Sequence, residues 1–401
     1  MQQRRFRSFD EVDRKIDRSA PVVTLFSGGL DSSYLLLRLR DMGFTDIHAV
    51  SVDIGEMETS AEKQATAATL GAMLHIRDER HRFADEFVAA AIKAHAVYLD
   101  LHPVSSTLSR PLIARTAVEL AADLGAQVIM HTANRSQNTM RRLNGAFELL
   151  GFPGWYGSPY DLQPISRQRK PDELSDAGVT FRTDRSISGD SNLWCREFES
   201  GALDDPESHR IPAAVYRWSA RCDDVDEHLS LAFEEGLPVA VDGNRMNLVE
   251  LVEHLNYRVG RLGVGRYTGL EHLDNGEKVF EAREMPAAWL ILRTARHLES
   301  ACLPAELIRV KLGLEQVWTR EALEGRWFGP LKDATQAFVE VCAQQVTGTV
   351  TWRLHDGVAA TNAIIAEHPR YIRDREAWES DSIRAEFDNF DALLSEGTLP
   401  R

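Results

Sequence analysis

Short apolar runs alternate with longer helical patterns along the first third of the chain. Four of these runs predict buried strands: VVTLF (22–26), DIHAVSVD (46–53), AMLHI (72–76) and QVIMH (127–131). Apolar residues at helical spacing predict four helices: one that ends at Met42 and others over 60–70, 83–97 and 110–124. This alternation is typical of an α/β fold, in which helices cover both faces of a doubly wound parallel sheet.

The regular alternation stops near residue 150. Residues 151–186 are rich in Pro, Gly and charged residues and predict a linker. The later chain mixes strand and helix patterns, and its tail joins a hairpin-like stretch, GTVTWRLHDGVAATNAI, to a polar, acidic helical end. We therefore predict four regions: a charged N-terminal extension (1–20), an α/β domain (21–180), a second, α+β domain (181–345) and a C-terminal helical arm (346–401).

Polar residues follow three of the predicted strands. SGGLDSS (27–33) follows the first strand, Asp53 to Glu56 follow the second, and His131 to Asn134 follow the fourth. The carboxyl ends of parallel strands lie at one edge of a sheet, and ligands bind there. We therefore expect these three stretches to meet in one crevice.

The SGGLDSS stretch has the composition of a phosphate-binding loop. Gly28 and Gly29 let the backbone approach a ligand closely, and the following helix directs its free N–H groups into the loop. Its serines add hydroxyl donors, and Asp31 can hold a Mg²⁺ ion that bridges phosphate oxygens. Neither GxxxxGK[ST] nor GxGxxG is present. The structural alternative is a glycine turn whose serines only cap a helix.

The charge balance and the cysteines narrow the class of protein. The 401 residues include 61 acidic and 46 basic side chains, and the formal net charge of −15 argues against a nucleic-acid partner. Four widely spaced cysteines without a CxxC indicate neither a zinc ribbon nor a disulfide framework. The chain has no apolar stretch of about 20 residues and no signal-like start, so we expect a cytoplasmic protein without a membrane partner.

The SGGLDSS loop resembles the pyrophosphate loop of the N-type ATP pyrophosphatases, which cleave ATP to AMP and pyrophosphate and adenylate a substrate oxygen. Four further stretches are similar to the argininosuccinate synthase family: TLSRPLIARTAVELA (107–121), SISGDSNLWCREFESGALDDP (186–206), VGRLGVGRYTGL (259–270) and MPAAWLILRTARHLE (285–299). The resemblance implies an ATP pyrophosphatase domain, a synthetase and multimerisation domain, and a tail that assembles a homotetramer. A tail helix that docks on its own domain is the alternative.

The resemblance also implies that ATP and Mg²⁺ are the cofactors. It assigns ATP binding to one set of residues: Leu25, Phe26, Ser27, Gly28, Gly29, Leu30, Asp31, Ser32, Ser33, Val52 and His131. Within that set, Ser27, Asp31 and Ser33 are implied to be catalytic because they face the departing pyrophosphate. Asp31 is the implied Mg²⁺ ligand.

The family has two amino-acid sites, one for citrulline, whose ureido oxygen is adenylated, and one for aspartate, whose amine displaces AMP. The resemblance places the following residues in these small-molecule sites: His102, Thr107, Arg110, Asn134, Asn138, Thr139, Arg142, Ser188, Glu197, and either Phe280 or Arg283. Arg135 and Arg141 are new cationic candidates, for which a solvated basic face is the alternative.

Several of these positions depart from the family pattern. On the aspartate side, Asn134 stands in place of a Thr and Thr139 in place of an Asp. On the citrulline side, His102 replaces a Tyr, and Thr107 and Glu197 replace serines. The segment 262–266 offers no counterpart of the family's Glu that binds the substrate's α-amino group, and Glu197 is a candidate replacement.

The expected function is a two-step ligase. An acceptor carbonyl oxygen attacks the α-phosphorus of ATP, and an amine, with aspartate as the leading choice, then expels AMP. The alternative is a specialised ligase with a non-citrulline acceptor. A tRNA sulfur transferase is disfavoured by the dispersed cysteines and the acidity, and a nucleotide-binding protein without chemistry by the intact loop. His102 either accepts a proton near pH ~6.5 or only packs in its loop.

Overall fold

A sheet of six parallel strands forms the first half of the molecule in the computed structural model. The structure describes residues 4–55, 60–135, 137–166, 168–181, 187–220, 225–273 and 276–395. Its strands are β1 (Arg5–Phe6), β2 (Val22–Leu25), β3 (Ile47–Asp53), β4 (Met73–Asp78), β5 (Val97–Tyr98), β6 (His102–Pro103), β7 (Val128–Met130), β8 (Trp155–Gly157), β9 (Ser188–Ser191), β10 (Arg196–Glu199), β11 (Glu227–Glu234), β12 (Leu237–Val241), β13 (Asn244–Arg245), β14 (Arg266–His272), β15 (Lys278–Glu284), β16 (Gly348–His355) and β17 (Val358–Ala366).

The helices complete the layers around the sheets. They are α1 (Phe9–Lys15), α2 (Leu30–Asp41), α3 (Ser60–Thr69), α4 (Arg80–Arg82), α5 (Ala89–Lys93), α6 (Ser106–Leu124), α7 (Thr139–Leu149), α8 (Arg169–Asp176), α9 (Leu248–Gly260), α10 (Pro286–Cys302), α11 (Ala305–Leu323), α12 (Pro330–Ala343) and α13 (Arg375–Ser395). A π-helical segment, Phe83–Val88, joins α4 to α5. No helix in the described ranges has both the length and the apolar character needed to cross a membrane.

The first sheet has the strand order β1-β8-β7-β2-β3-β4, and all its neighbouring strands are parallel. The chain moves outward in one direction from β2 to β4 and in the other from β2 through β7, so the order reverses beside β2. Such a reversal opens a crevice at the carboxyl ends of the strands. The predicted α/β fold, with a doubly wound parallel sheet and a second α+β domain, is confirmed.

The segment 151–186 is not a linker throughout. Trp155–Gly157 forms β8, which lies inside the sheet between β1 and β7, and Arg169–Asp176 forms α8, which packs near α2. The strand is only three residues long and is bordered by Gly154 and Ser158, so it has no periodicity to detect. Residues 167 and 182–186 of the predicted linker lie outside the described residues.

The N-terminal residues also differ from the predicted charged extension. β1 pairs with β8 at the edge of the sheet, and α1 follows it with a side-chain cap from Ser8. Phe6, Phe9 and Val12 are buried in the same apolar cluster as α2. The many charges of this segment hid these apolar positions in the sequence. Residues 4–20 are therefore part of the α/β domain, and residues 1–3 are outside the described part.

Two antiparallel sheets build the second half. The strand order is β14-β15-β10-β9 in one sheet and β13-β12-β11-β16-β17 in the other. The predicted tail hairpin is formed by β16 and β17, whose tight turn places Asp356 and Gly357 in the left-handed backbone region. Because β16 also pairs with β11, the hairpin completes the second domain's sheet, and α13 follows it as the helical arm.

The segment Asn192–Cys195 joins the two halves. The amide of Leu193 donates to the carbonyl of Ile54 at the end of β3 (2.8 Å). The side chain of Asn192 donates to Ser105 Oγ (3.0 Å) just before α6 and accepts from the amide of Cys195. A Cβ on Gly55 would lie 2.9 Å from the Leu193 backbone, so the close approach requires glycine.

Candidate active site

The loop after β2 is built to expose amide groups. Gly28 has φ +78°, and α2 begins at Leu30 with no hydrogen bond from a capping side chain. The loop is held by its own polar groups: Ser27 Oγ lies 3.2 Å from Ser32 Oγ, and Ser32 Oγ donates to the Gly29 carbonyl. The first-turn N–H groups of α2 therefore remain available to an anion.

This loop opens into a cavity of about 850 Å³. Most of the predicted ATP set lines it: Leu25, Phe26, Ser27, Gly29, Leu30, Asp31, Ser32, Val52 and His131. Gly28 lies in the loop but does not line the cavity, and Ser33 is fully buried beneath it. Because Ser33 is fully buried, the structure does not bring this predicted catalytic residue to the cavity surface. Its hydroxyl has no hydrogen-bond partner among the described residues.

The predicted convergence of the three strand ends is seen in the lining of this cavity. Residues from β2, from β3 and from the segment after β7 line one wall, and β9, β10 and β15 of the second domain line the opposite wall. Among the predicted substrate residues, the cavity receives Arg110, Asn134, Asn138, Thr139, Arg142, Ser188, Glu197 and Phe280. Glu56 of the second predicted stretch is outside the described residues.

A second cavity of about 430 Å³ adjoins the first. It receives His102, Thr107 and Arg283 from the predicted set. Six residues line both cavities: Ser106, Asn138, Arg142, Glu197, Glu271 and Leu273. The two cavities therefore form one cleft, with the phosphate loop in the first and a group of buried charges in the second.

Arg283 is the centre of the buried charges. Its Nη1 lies 2.5 Å from Glu197 Oε1, and its Nε and Nη2 donate to the two carboxylate oxygens of Glu281 at 2.8 and 2.9 Å. Although burial alone would raise the pKa of Glu197, Arg283 and other arginines hold it below its usual value. Glu197 is therefore held as an ion-pair partner of Arg283 at the boundary of the two cavities.

Glu271 is a site residue that the sequence analysis missed. Its Oε1 accepts from Asn138 Nδ2 at 3.2 Å and lies 3.6 Å from Arg142 Nη2. It lines both cavities and follows Gly265–Arg266 on β14. Strand alternation places Glu271 on the same face of β14 as Tyr267, whose ring lies 5.0 Å from that of His102. Glu271 therefore supplies both cavities with a carboxylate from outside the segment 262–266, and it is a candidate for the family's Glu beside Glu197.

Arg142 and Arg110 position the polar groups between the cavities. Arg142 is buried, and its Nη1 donates to Ser106 Oγ at 2.9 Å. Arg110 forms an ion pair with Asp190 of the second domain and donates to Thr139 Oγ1 at 3.4 Å. These contacts place two guanidinium groups where negative charge from a bound substrate can be received.

Comparison with known sequences identifies the family. Residues 21–151 match the family model "Arginosuccinate synthase N-terminal HUP domain", and residues 187–392 match "Arginosuccinate synthase C-terminal domain". The chain belongs to the argininosuccinate synthase family. The predicted AMP-forming carbon–nitrogen ligase class and the use of ATP are confirmed by this membership.

Argininosuccinate synthases from several organisms are similar over most of their length. The protein from Rubrobacter xylanophilus is 34% identical, with 90% of this chain and 89% of the relative covered. The one from Symbiobacterium thermophilum is 32% identical, with 94% of each covered. The one from Pyrococcus furiosus is 31% identical, with 94% of this chain and 91% of the relative covered.

The departures from the argininosuccinate synthase pattern form a connected group in space. Glu197, in place of a serine, and Arg283, one of two candidates for the tyrosine position, are ion-pair partners. Phe280, the other candidate, lies in the first cavity with its ring 4.1 Å from that of His209. Glu197 and Arg283 are therefore buried charges that neutralise each other, and Glu281 is a second carboxylate partner of Arg283.

Arg135 lies outside both cavities. Its Nε is 2.7 Å from Asp161 Oδ1, and its side chain is 61% exposed. Asp161 also accepts from Arg7, so the new arginine contributes to the contact between the N-terminal segment and the loop after β8. The structure does not bring this predicted substrate-binding residue to the site.

His102 is buried beside the charge cluster. Burial, and after it the positive charge of Arg283, lower the pKa of His102 from 6.5 to about 3, against the opposing effect of a hydrogen bond to the Pro103 carbonyl. A neutral imidazole with such a low pKa does not gain or lose a proton near neutral pH. The geometry therefore favours the packing role of His102 over a role as proton acceptor for an attacking amine.

His131 is a second neutral histidine at the cleft. Its Nδ1 accepts from the amide of Ala133 at 3.3 Å, so Nε2 carries the proton and donates to Asn144 Oδ1 at 3.1 Å. Complete burial lowers its pKa from 6.5 to about 4. The residue holds the start of the segment after β7 by two hydrogen bonds.

Protonation of His131 should weaken the fold at mildly acidic pH. The folded-state pKa is depressed, so its stabilising contribution is complete above pH 6.5 and is lost as pH falls toward about 4. Between pH 7 and 5 we expect a loss of roughly 2 kcal/mol in unfolding free energy from this residue. His131→Gln should lack this part of the decline in urea unfolding.

His368→Gln is the matched control, because the His368 side chain is 86% exposed. Its unfolding free energy should follow that of the parent at each pH. Equal pH slopes for the parent and His131→Gln would contradict the assignment.

Proposed function

We propose that the chain is an ATP-dependent ligase that joins citrulline to aspartate. The observation that carries the proposal is the single cleft in which an amide-rich loop, able to hold phosphate, faces Glu271, Asn138 and Arg142. Family membership supports the same reaction. Within this reaction, Glu271 binds the α-ammonium group of citrulline.

The first step is adenylation. The ureido oxygen of citrulline attacks the α-phosphorus of ATP, an oxygen–phosphorus bond forms, and the bond to the β-phosphate breaks. The electron pair of that bond leaves with pyrophosphate, whose charge is received by the amides and hydroxyls of the loop from Ser27 to Ser32. The chain supplies position and charge stabilisation, and the step requires no proton transfer.

The second step forms the carbon–nitrogen bond. The amine of aspartate, after losing its extra proton to solvent, attacks the activated ureido carbon. AMP then departs with the oxygen, and the new nitrogen gives up a second proton to solvent as the guanidinium group forms. At the start of α7, Asn138 lines both cavities and Thr139 lines the first, where they can orient the amine. Arg110 and Arg142 line the first cavity and can receive the carboxylates of aspartate.

We further propose that Mg²⁺ accompanies ATP, with Asp31 as its protein ligand. The Asp31 carboxylate is 40% exposed and lines the cavity beside the phosphate loop. A single carboxylate fits this ion, because Mg²⁺ in nucleotide sites is held by one or two carboxylates together with phosphate oxygens. When bound, the ion neutralises charge on the phosphates.

We propose the cytoplasm as the site of action and arginine biosynthesis as the pathway. Both steps consume ATP-derived energy, and ATP is made available in that compartment. The described cysteines, Cys195, Cys302 and Cys342, are buried free thiols, which suits reducing conditions. Cys222 lies outside the described residues.

Pyrophosphate release tests the reaction directly. With Mg-ATP, citrulline and aspartate, we expect rapid release and formation of argininosuccinate, detected by a coupled phosphate assay and by mass spectrometry. Omission of citrulline should abolish release, because no oxygen is then present to attack the α-phosphorus. Binding of ATP without release in the complete mixture would overturn the choice of citrulline and direct the search to other ureido or carboxylate acceptors.

Glu271→Gln tests the proposed contact with the α-ammonium group. Loss of one charge-assisted hydrogen bond should raise the KM for citrulline roughly 10- to 100-fold. The dissociation constant of ATP should be unchanged, because Glu271 is assigned to the acceptor. Glu367→Gln, which alters a side chain that is 60% exposed on the end of β17, is the control. An unchanged KM for citrulline would remove Glu271 from the acceptor site.

We propose that the tail assembles a homotetramer. Trp378 and Ile383 on α13 are 52% and 57% exposed, and Val358 and Ile365 on β17 are 62% and 59% exposed. Apolar exposure of this kind along a projecting segment is typical of a surface that another copy covers. Light scattering should give four times the chain mass, and Trp378→Lys should reduce it. A monomeric parent would mean that the tail only docks on its own domain.

A further inference from the structure

The phosphate loop contains no lysine, yet a buried ammonium group lies against it. Lys170, in the first turn of α8, places its Nζ 2.6 Å from Asp31 Oδ1. Its side chain is only 8% exposed, and its Nζ also lies 4.8 Å from the centre of the Tyr160 ring. Lys170 lines the first cavity together with Asp31 and the loop. The Lys170 amine is therefore far from the loop in the sequence but adjacent to it in the folded structure.

Helix stability does not account for this lysine. The positive end of the helix dipole is at the N-terminus, so cations in the first turn are unfavourable. Arg169 and Lys170 are nevertheless both there, and Gln168 provides no side-chain cap. The neighbouring helices are already joined by Tyr34, whose hydroxyl lies 2.5 Å from Glu173 Oε2. A polyanion bound in the cavity would stabilise the cation that Lys170 places in the first turn of α8.

The ion pair with Asp31 holds the Lys170 amine next to the phosphate loop. Asp31 is the second residue of α2, directly after the exposed amides of the loop, and its carboxylate keeps Lys170 close to them. The side chain of Lys63 also lies against Gly28, and its Nζ donates to Ser51 Oγ on β3 at 3.3 Å. Of these two lysines, Lys170 is the one that shares a carboxylate with the phosphate loop.

We propose that Lys170 is a catalytic residue of the adenylation step, in which its ammonium group binds the β- and γ-phosphates of ATP and stabilises the departing pyrophosphate. The inference rests on the proposed ligase function. As the bond between the α-phosphorus and the bridging oxygen breaks, its electron pair stays on pyrophosphate. Lys170 keeps its proton and receives that charge as a hydrogen-bond donor. It performs for this loop the electrostatic task that a Walker lysine performs within its own loop.

Lys170→Met tests the proposal by binding as well as by rate. Removal of one charge-assisted contact should weaken ATP and pyrophosphate binding roughly 10- to 100-fold and slow single-turnover pyrophosphate release by at least as much. AMP, which lacks the β- and γ-phosphates, should bind as it does to the parent. Calorimetry with ATP, pyrophosphate and AMP, with and without Mg²⁺, measures these constants on the full chain.

Two further variants keep the result interpretable. Lys170→Arg retains a cation and should recover part of the ATP affinity. Arg169→Gln is the matched control, because Arg169 occupies the same turn of α8 but pairs with Glu173 and is 63% exposed. It should bind ATP, pyrophosphate and AMP like the parent.

The outcomes separate this inference from the ligase proposal. Equal loss of ATP and AMP affinity in Lys170→Met would show a structural role and overturn the inference, as would unchanged ATP affinity. If the variant fails to fold, the same comparison made with Lys170→Gln and Lys170→Arg decides between these results. If the parent releases no pyrophosphate with citrulline and aspartate, the ligase proposal fails, while the difference between ATP and AMP binding still tests Lys170.

Discussion

The contact between residues 192–195 and the first sheet fixes the cleft on which everything else depends. Leu193 donates to the end of β3, and Asn192 reaches the residue before α6. Asn256 on α9 donates to the Leu193 carbonyl at 2.9 Å, so this short segment also holds the second domain's own helix. One wall of the cleft is thus set relative to the other by the backbone hydrogen bond from Leu193 to Ile54 and the side-chain hydrogen bond from Asn192 to Ser105. That close approach requires glycine at position 55, because a Cβ there would lie too close to the Leu193 backbone.

The buried charges inside the cleft neutralise one another. Arg283 satisfies Glu197 and Glu281 together, and its other Nη1 contact is the Pro103 carbonyl. A buried ion cluster of this type contributes little net stability but is costly to break, because a removed partner leaves a charge without compensation. The cluster and His102 therefore form a rigid boundary of the second cavity, against which the acceptor must fit. Outside this cluster, Glu271, Arg142, Asn138 and Ser106 are polar residues that line both cavities.

The sequence was most informative where local chemistry and periodicity coincide. SGGLDSS could be placed after a strand and before a helix because the apolar run, the glycines and the leucine pattern are contiguous. β1 and β8 could not be found, since strands of two and three residues have no periodicity and are defined only by their pairing. Glu271 lies beyond the segment 262–266, in which the family's Glu was expected. Lys170 is 139 residues away from Asp31 in the sequence, so their contact could not be predicted. Such contacts depend on tertiary structure.

The pairing of β1 with β8 has a consequence for how the chain is made. The strand at Arg5–Phe6 finds its partner only after Trp155–Gly157 has been synthesised, roughly 10 to 30 seconds later at ordinary ribosome rates. During that interval an apolar strand edge is exposed to other nascent chains. Arg4, Arg5 and Arg7 surround Phe6, and flanking charges of this kind oppose aggregation of unpaired strands. The basic residues near the start of the chain thus oppose aggregation of the nascent protein until β1 can pair with β8.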